Sequence, residues 1–402
     1  MPRPRTVPSS LTWLLVVFAL LLLPLCLVGY GTDNDTYSVL EAGKNTWALH
    51  NPVTSRAPGY WVFEAIVYAI RNLGGYVFTN LATLLVALVV LWRFLVIATR
   101  LGVRYPAVVA ATLAVTPVFA IASTSTIDYV WSLLGIVLFV EALIADRLAL
   151  AILPAAFAFA IRGANSVVIA GAIAGAVALP LLRERRISAQ SFRIVGVGFA
   201  AAILGGLPYI ASYHYWEDSF GFVRGIIGNP EMWSMKMRVG RFFYKTSYLF
   251  GPIALTILAG CSFVAVPLRR PSEDSPETVK YRAAAVPIFL GMVIANLLLY
   301  LKYPIEISYL IPAAFFGLLL LGISLLARSR ALAIAFLAAT FSLDLVTPQL
   351  AAPNIPGKAT DATFHPTLQP GAIPEDVRLR IVLRSCDTYI CYYDHLHPGA
   401  SR

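Results

Sequence analysis

Nothing constrains the fold of this chain more than the apolar runs that repeat along residues 1–347. Runs approaching the roughly 17–25 residues that cross a bilayer fall at 11–30, 76–99, 105–122, 128–145, 165–182, 192–212, 246–267, 283–301, 309–327 and 331–347, with a shorter one at 148–161. Hydrocarbon offers no water to an open backbone, so segments of this kind fold as helices. The expected fold is all-α: a polytopic membrane protein with a bundle of about eleven transmembrane helices. Charge density agrees, since 13% of the 402 residues are charged against about 25% in soluble domains.

The net charge of +10 raises the question of nucleic acid, and its distribution answers it. Basic residues cluster in short gaps between apolar runs, which is the orientation signal of a membrane protein. No soluble stretch interleaves basic and aromatic residues, so nucleic acid is excluded as a partner. With the N-terminus in the cytoplasm, the inner gaps carry Arg3 and Arg5, Arg100 and Arg104, Arg147, "LRERR" (182–186), "LRRPSEDSPETVKYR" (268–282) and "ARSR" (327–330). The outer gaps collect Asp33, Asp35, Glu41, Asp128, Glu217, Asp218, Glu231 and Glu306. The N-terminal run mimics a signal peptide but has no A-x-A site after it, so it reads as an uncleaved first helix.

Three outer segments exceed a turn: a first loop at 31–75, a second at 213–245, and a tail at 348–402. Within the first, "YWVFEAIVYAIRNLG" (60–74) is too short and too charged to span, and suits a helix lying in the interface. Glu64 on that helix reads as a solvated charge as readily as a functional one. Cys26 and Cys261 fall in apolar runs; Cys386 and Cys391 could form a disulfide in an extracytoplasmic tail. "DHLH" (394–397) beside them matches no zinc spacing, and Asp344 either lines a cavity or marks the end of the last run.

The stretch "GTDNDTYSVLEAGKN" (31–45) places Asp33 and Asp35 at the exit of the first helix. Such carboxylates are hydrated loop charges, a general base for a hydroxyl group, or oxygen ligands for a divalent cation. Arg162 lies between two apolar runs, where a charge is expensive and functional by default; the competing reading is a helix-end arginine that snorkels. Lys236, Arg238 and Arg241 read first as contacts to anionic headgroups, and otherwise as further outer-side cations for a phosphate. Glu141, inside the fourth run, is expected to pair with Arg93 or another basic group as a structural element.

Read onward, "DNDTYSVLEAGKNTWALHNPVTSRAPGYWVFEAIVYAI" resembles the first outer loop of the GT-C glycosyltransferases that use polyprenyl-phosphate sugars, such as protein O-mannosyltransferases and lipid A aminoarabinose transferases. Asp33 and Tyr37 match that loop's opening; Arg56, Pro58, Gly59 and Tyr60 match its later stretch. Asn34 stands where the family has an acid, leaving Asp35 to compensate. "STSTIDYVWSLLGIVLFV" resembles the family's turn with an acid opening the fourth helix, here Asp128. "AFAFAIRGANSVVIAG" resembles the segment in which an arginine, here Arg162, separates two short helices. "LKYPIEISYLIPAAF" is similar to the late outer motif through Glu306, Tyr309 and Pro312, with Ser308 where arginine is common. The likeness covers roughly 10–330, and the tail carries no motif.

The resemblance implies transfer of a sugar from a polyprenyl-phosphate carrier to an envelope glycan or glycolipid at the outer face of the cytoplasmic membrane, with inversion. Asp33, with Asp35 beside it, would be the base. Arg56, Arg162 and Lys302 would bind the donor phosphate, and Tyr37, Tyr60, Asp128, Glu306 and Tyr309 the substrates. A phosphate-activated sugar needs no nucleotide loop, and the chain has none. No cofactor is implied beyond the divalent cation that the acids could hold. The rival reading is a transporter or flippase of a lipid-linked sugar, which calls for mid-membrane ionisable groups and repeats; these are scarce here. A membrane acyltransferase would need a histidine base, and neither His50 nor His214 has a recognisable setting.

Overall fold

The structure, a computed structural model, describes residues 9–27, 29–30, 34–51, 53–55, 59–185, 188–214, 234–263, 275–304, 306–342, 346–351 and 365–370. In chain order its helices are α1 (Ser9–Cys26), α2 (Asn34–Leu49), α3 (Trp61–Arg100), α4 (Pro106–Val115), α5 (Pro117–Ala122), α6 (Tyr129–Ile144), α7 (Leu148–Ile161), α8 (Asn165–Glu184), α9 (Ala189–His214), α10 (Met235–Phe250), α11 (Pro252–Phe263), α12 (Pro276–Lys302), α13 (Ile311–Ile323) and α14 (Arg330–Ser342). A 3-10 turn, Ile307–Leu310, leads into α13. Beyond the helices, β1 (Val346–Ala351) and β2 (His365–Pro370) pair antiparallel, Val346 opposite Pro370, so the tail departs from the all-α expectation.

Trp61–Arg100, Ala189–Ser212 and Pro276–Lys302 are long and apolar enough to cross a membrane. Arg238–Phe250 and Pro252–Ser262 pass that test together but bend by 90° at Gly251, whose φ of 89° is open to glycine and strained for other residues. The expected straight span at 246–267 is therefore broken, and part of the loop expected at 213–245 is the start of α10. Seven shorter apolar helices complete the membrane character of the described residues. Large apolar side chains on their outer faces agree: Leu21 of α1 and Leu153 of α7 are about as exposed as side chains in an isolated helix, at 70% and 72%, a placement suited to hydrocarbon and not to water.

Expected boundaries hold where punctuation is strong. The run at 148–161 is α7 residue for residue. The helix expected at the interface and the next span are two helices that meet at a kink at Gly74 and Gly75, where φ and ψ leave the helical region. The run at 105–122 breaks at Thr116, whose extended backbone is followed by Pro117 at the first position of α5. Another expectation fails: Asn34–Leu49 of the first loop is helix α2. Val39, Leu40 and Ala42 are buried on one side of it, and Val39 and Leu40 pack with Phe63 and Val67 of α3. Gly43 permits this, because a methyl there would sit 2.5 Å from the carbonyl of Glu64.

The core draws on helices from α1 to α14, and aromatics join α3, α12 and α13 within it. Phe94 meets Phe315 edge-on at 4.9 Å, and Phe289 packs on Phe316 at 5.0 Å. Helices α8 and α12 cross at backbone distance. A methyl at Gly171 would lie 2.5 Å from the backbone oxygen of Gly291, and one at Gly175 would strike that of Pro287. "GAIAG" (171–175) is thus a small-xxx-small crossing at backbone distance, the packing available where no hydrophobic effect separates helix from lipid.

Candidate functional site

The site begins with a helix that stops. Arg162 adopts an extended backbone at the end of α7, and Asn165, opening α8, donates through Nδ2 to the Ala158 carbonyl at 3.1 Å. The break turns Arg162 inward, 4% exposed. Its Nη1 donates to both oxygens of Asp128, at 3.0 and 2.8 Å. Asp128 occupies the N-cap position of α6 without capping it, so its carboxylate serves the arginine instead. The guanidinium carbon lies 4.2 Å from the ring centre of Tyr129, 4.4 Å from that of Tyr309 and 5.8 Å from that of Tyr60. Burial works to lower the Arg162 pKa; Asp128 and the three phenols work to raise it, and the net direction is up. The guanidinium is therefore a fixed cation.

Tyr129 donates its hydroxyl to Glu306, joining the pair to the segment before the 3-10 turn. Asn296 of α12 holds that segment: its Nδ2 donates to the Tyr309 carbonyl and its Oδ1 accepts from the Ala313 amide, both at 3.0 Å. Five residues singled out in the sequence, Tyr60, Asp128, Arg162, Glu306 and Tyr309, thus meet in one place, drawn from four separate motifs. Arg162 does not snorkel. Neither is its charge free for an anion at rest, because Asp128 balances it.

Glu64 corrects an expectation. It is fully buried, and its Oε1 accepts from the amide and hydroxyl of Ser55 at 3.0 and 2.5 Å; a solvated face is ruled out because α2 covers it. Tyr209 of α9 donates to the Phe159 carbonyl at 2.9 Å and packs on the Phe159 ring at 5.5 Å. Trp61 fastens this corner to α9 through a 2.5 Å bond from Nε1 to the Pro208 carbonyl. Sequence reasoning did not single out Tyr129, Tyr209 or Asn296. Tyr129 had a signal, its place directly after Asp128; the others had none.

Lys302 stays outside this group: its ammonium lies over its neighbour Tyr303, 5.2 Å from the ring centre. Arg241 donates to the Pro304 carbonyl at 3.2 Å, which sets α10 beside the Glu306 segment; Lys236 is exposed and Arg238 partly so. The structural pair expected within the bundle is present, Arg93 donating through Nε to Glu141 at 2.6 Å. Asp33 and Arg56 lie outside the described residues, as do Asp344, Cys386, Cys391 and the 394–397 stretch. Asp35 and Tyr37 fall in the first turn of α2, and their side chains are not described. Among the described residues no three His, Cys, Asp or Glu side chains gather as a metal site.

Fold and site together describe a helical protein of membrane character with a buried ion pair in a cage of tyrosines. No protein-family model, curated protein or solved structure matches the chain.

Proposed function

We propose that this protein is a membrane glycosyltransferase of the GT-C kind, moving a sugar from a polyprenyl-phosphate carrier to an envelope glycan or glycolipid. The observation that carries the reading is the convergence of Asp128, Arg162, Glu306, Tyr309 and Tyr60. These family-like positions lie far apart in the chain, and a chance likeness gives no reason for them to meet. The proposal includes about eleven spans, with the site and tail on the extracytoplasmic side of the cytoplasmic membrane.

In this reading Asp33 removes the proton of the acceptor hydroxyl, the oxygen attacks the anomeric carbon from the face opposite the phosphate, and the polyprenyl phosphate leaves. Charge grows on the departing phosphate, and fixed cations are the groups that stabilise it. Arg56 is the candidate nearest the base in sequence. Arg162 contributes as a cation held in place, its Asp128 partner setting its orientation and the phenols excluding water around it. The Glu306 carboxylate, gripped by Tyr129, is placed to accept from sugar hydroxyls.

The test is to delete the gene and restore it as wild type or as Asp33→Ala at equal membrane levels, then record mass spectra of envelope glycans and glycolipids. Loss of one sugar mass on deletion, its return with wild type and its absence with Asp33→Ala is the expected result. No difference in the deletion strain, with donor and acceptor pools shown to be present, would overturn the proposal.

A further inference from the structure

The exit of α1 and the turn before α6 carry the two acids on which the proposed reaction depends, yet they are far apart in the chain. Asn80, fully buried on α3, touches both. Its Nδ2 donates to the carbonyls of Cys26 and Gly29, at 3.1 and 2.6 Å. With the amide hydrogens directed there, its oxygen only accepts, and Thr126 donates to it at 2.8 Å. The Thr126 hydroxyl has then spent its hydrogen, so its 2.6 Å contact to Thr79 runs from Thr79, whose single hydrogen is shared with the Tyr76 carbonyl at 3.0 Å. The backbone amide of Thr126 closes the ring by donating to the Tyr30 carbonyl at 2.9 Å. Every polar group in this buried set has a partner, and a complete network of this kind specifies one arrangement of the elements it joins.

We infer that Asn80 and Thr126 are positioning residues that lock the chain leading into Asp33 against the turn that presents Asp128 to Arg162. The inference rests on the transferase reading for its catalytic consequence, and on geometry alone for the lock. Neither side chain reaches the Arg162 cluster. Their effect passes through the backbone at Tyr30 and at Ile127, the residue between Thr126 and Asp128. A misplacement of about 1 Å in such a frame costs on the order of 10²-fold in rate.

The test uses Thr126→Val, which keeps the shape and removes the hydroxyl, with Thr126→Ser as the conservative rescue. Thr340→Val is the control: Thr340 is equally buried, and its hydroxyl bonds only to the Phe336 carbonyl. Two readouts are taken on full-length protein in nanodiscs: hydrogen exchange of peptides covering 26–33 and 123–131, and transfer kinetics on wild-type donor and acceptor. The inference predicts faster exchange in both peptides and a fall in kcat of roughly 10²-fold with little change in KM for Thr126→Val. Thr126→Ser and Thr340→Val should match wild type in both. Exchange that rises in one peptide only, or in neither, would overturn the lock. Coupled exchange with wild-type kcat would overturn the positioning role. If wild-type protein transfers no sugar, the transferase reading fails separately, and coupled exchange still upholds the lock.

Discussion

Arg162 brings a charge into a place where charge is costly, and its partners decide what that charge is for. A buried ion pair is seldom a net gain in stability, but removing one member leaves the other stranded, at about 3–5 kcal/mol. Arg162→Met should therefore lower detergent-phase thermal stability by that order, and Arg162→Met combined with Asp128→Leu should recover much of it while remaining inactive. A single substitution costing under about 1 kcal/mol would show that the pair is solvated in the membrane protein. Tyr129→Phe makes a finer test, since it strips the Glu306 carboxylate of a donor: a loss of about 1.5–3 kcal/mol is expected for a bond to a charged group, read by the same melting measurement. These residues were legible to different degrees. Arg162 stands out in sequence because it interrupts apolar surroundings, and Asp128 because it resembles the acid that opens the fourth helix in the GT-C turn. Glu64 did not reveal its burial, because the helix that covers it was read as a loop.

At the scale of elements, glycines carry the arrangement where backbones touch. Gly175→Ala should cost about 1–3 kcal/mol, the range for overpacking, because the new methyl meets backbone of α12 and not a movable side chain. Gly196→Ala on α9, where nothing lies within 4 Å of the added carbon, should be neutral or stabilise by about 0.4–1 kcal/mol. Paired thermal melts of the two variants check the contrast, and equal effects would contradict the α8–α12 crossing. The break at Gly74 and Gly75 was readable from punctuation, since glycine disfavours the helix, and the end at Arg162 from the charge that interrupts the apolar run; the break before Pro117 was not, because 105–122 reads as one apolar run. Nor was the α2 helix. Asp35 and the polar residues after it look like a loop, and packing of Val39, Leu40 and Gly43 on α3 favours a helix there. The sharp bend at Gly251 was missed for a similar reason: the apolar run is continuous through it, and hydropathy is blind to direction.

For the whole molecule, hydropathy identified the class and could not settle how many helices cross. Three described helices have the length and composition, and seven others are apolar but short; the proposed orientation rests on where arginine and lysine fall. In a variant with the native cysteines replaced, Glu41→Cys should react with a membrane-impermeant maleimide added to intact spheroplasts. Asp146→Cys should react only after permeabilisation. The reverse pattern would invert the topology and place the Arg162 cluster on the cytoplasmic side. The central claim is that the tyrosine-caged pair belongs to a sugar-transfer site. Its most direct measurement is release of free polyprenyl phosphate when purified protein meets membranes of the deletion strain, with donor and acceptor present. The account predicts release matched one-for-one by sugar gained on the acceptor with wild-type protein, and neither with the folded Arg162→Met, Asp128→Leu double variant. Full release and transfer by that double variant, or none by wild type, would contradict it.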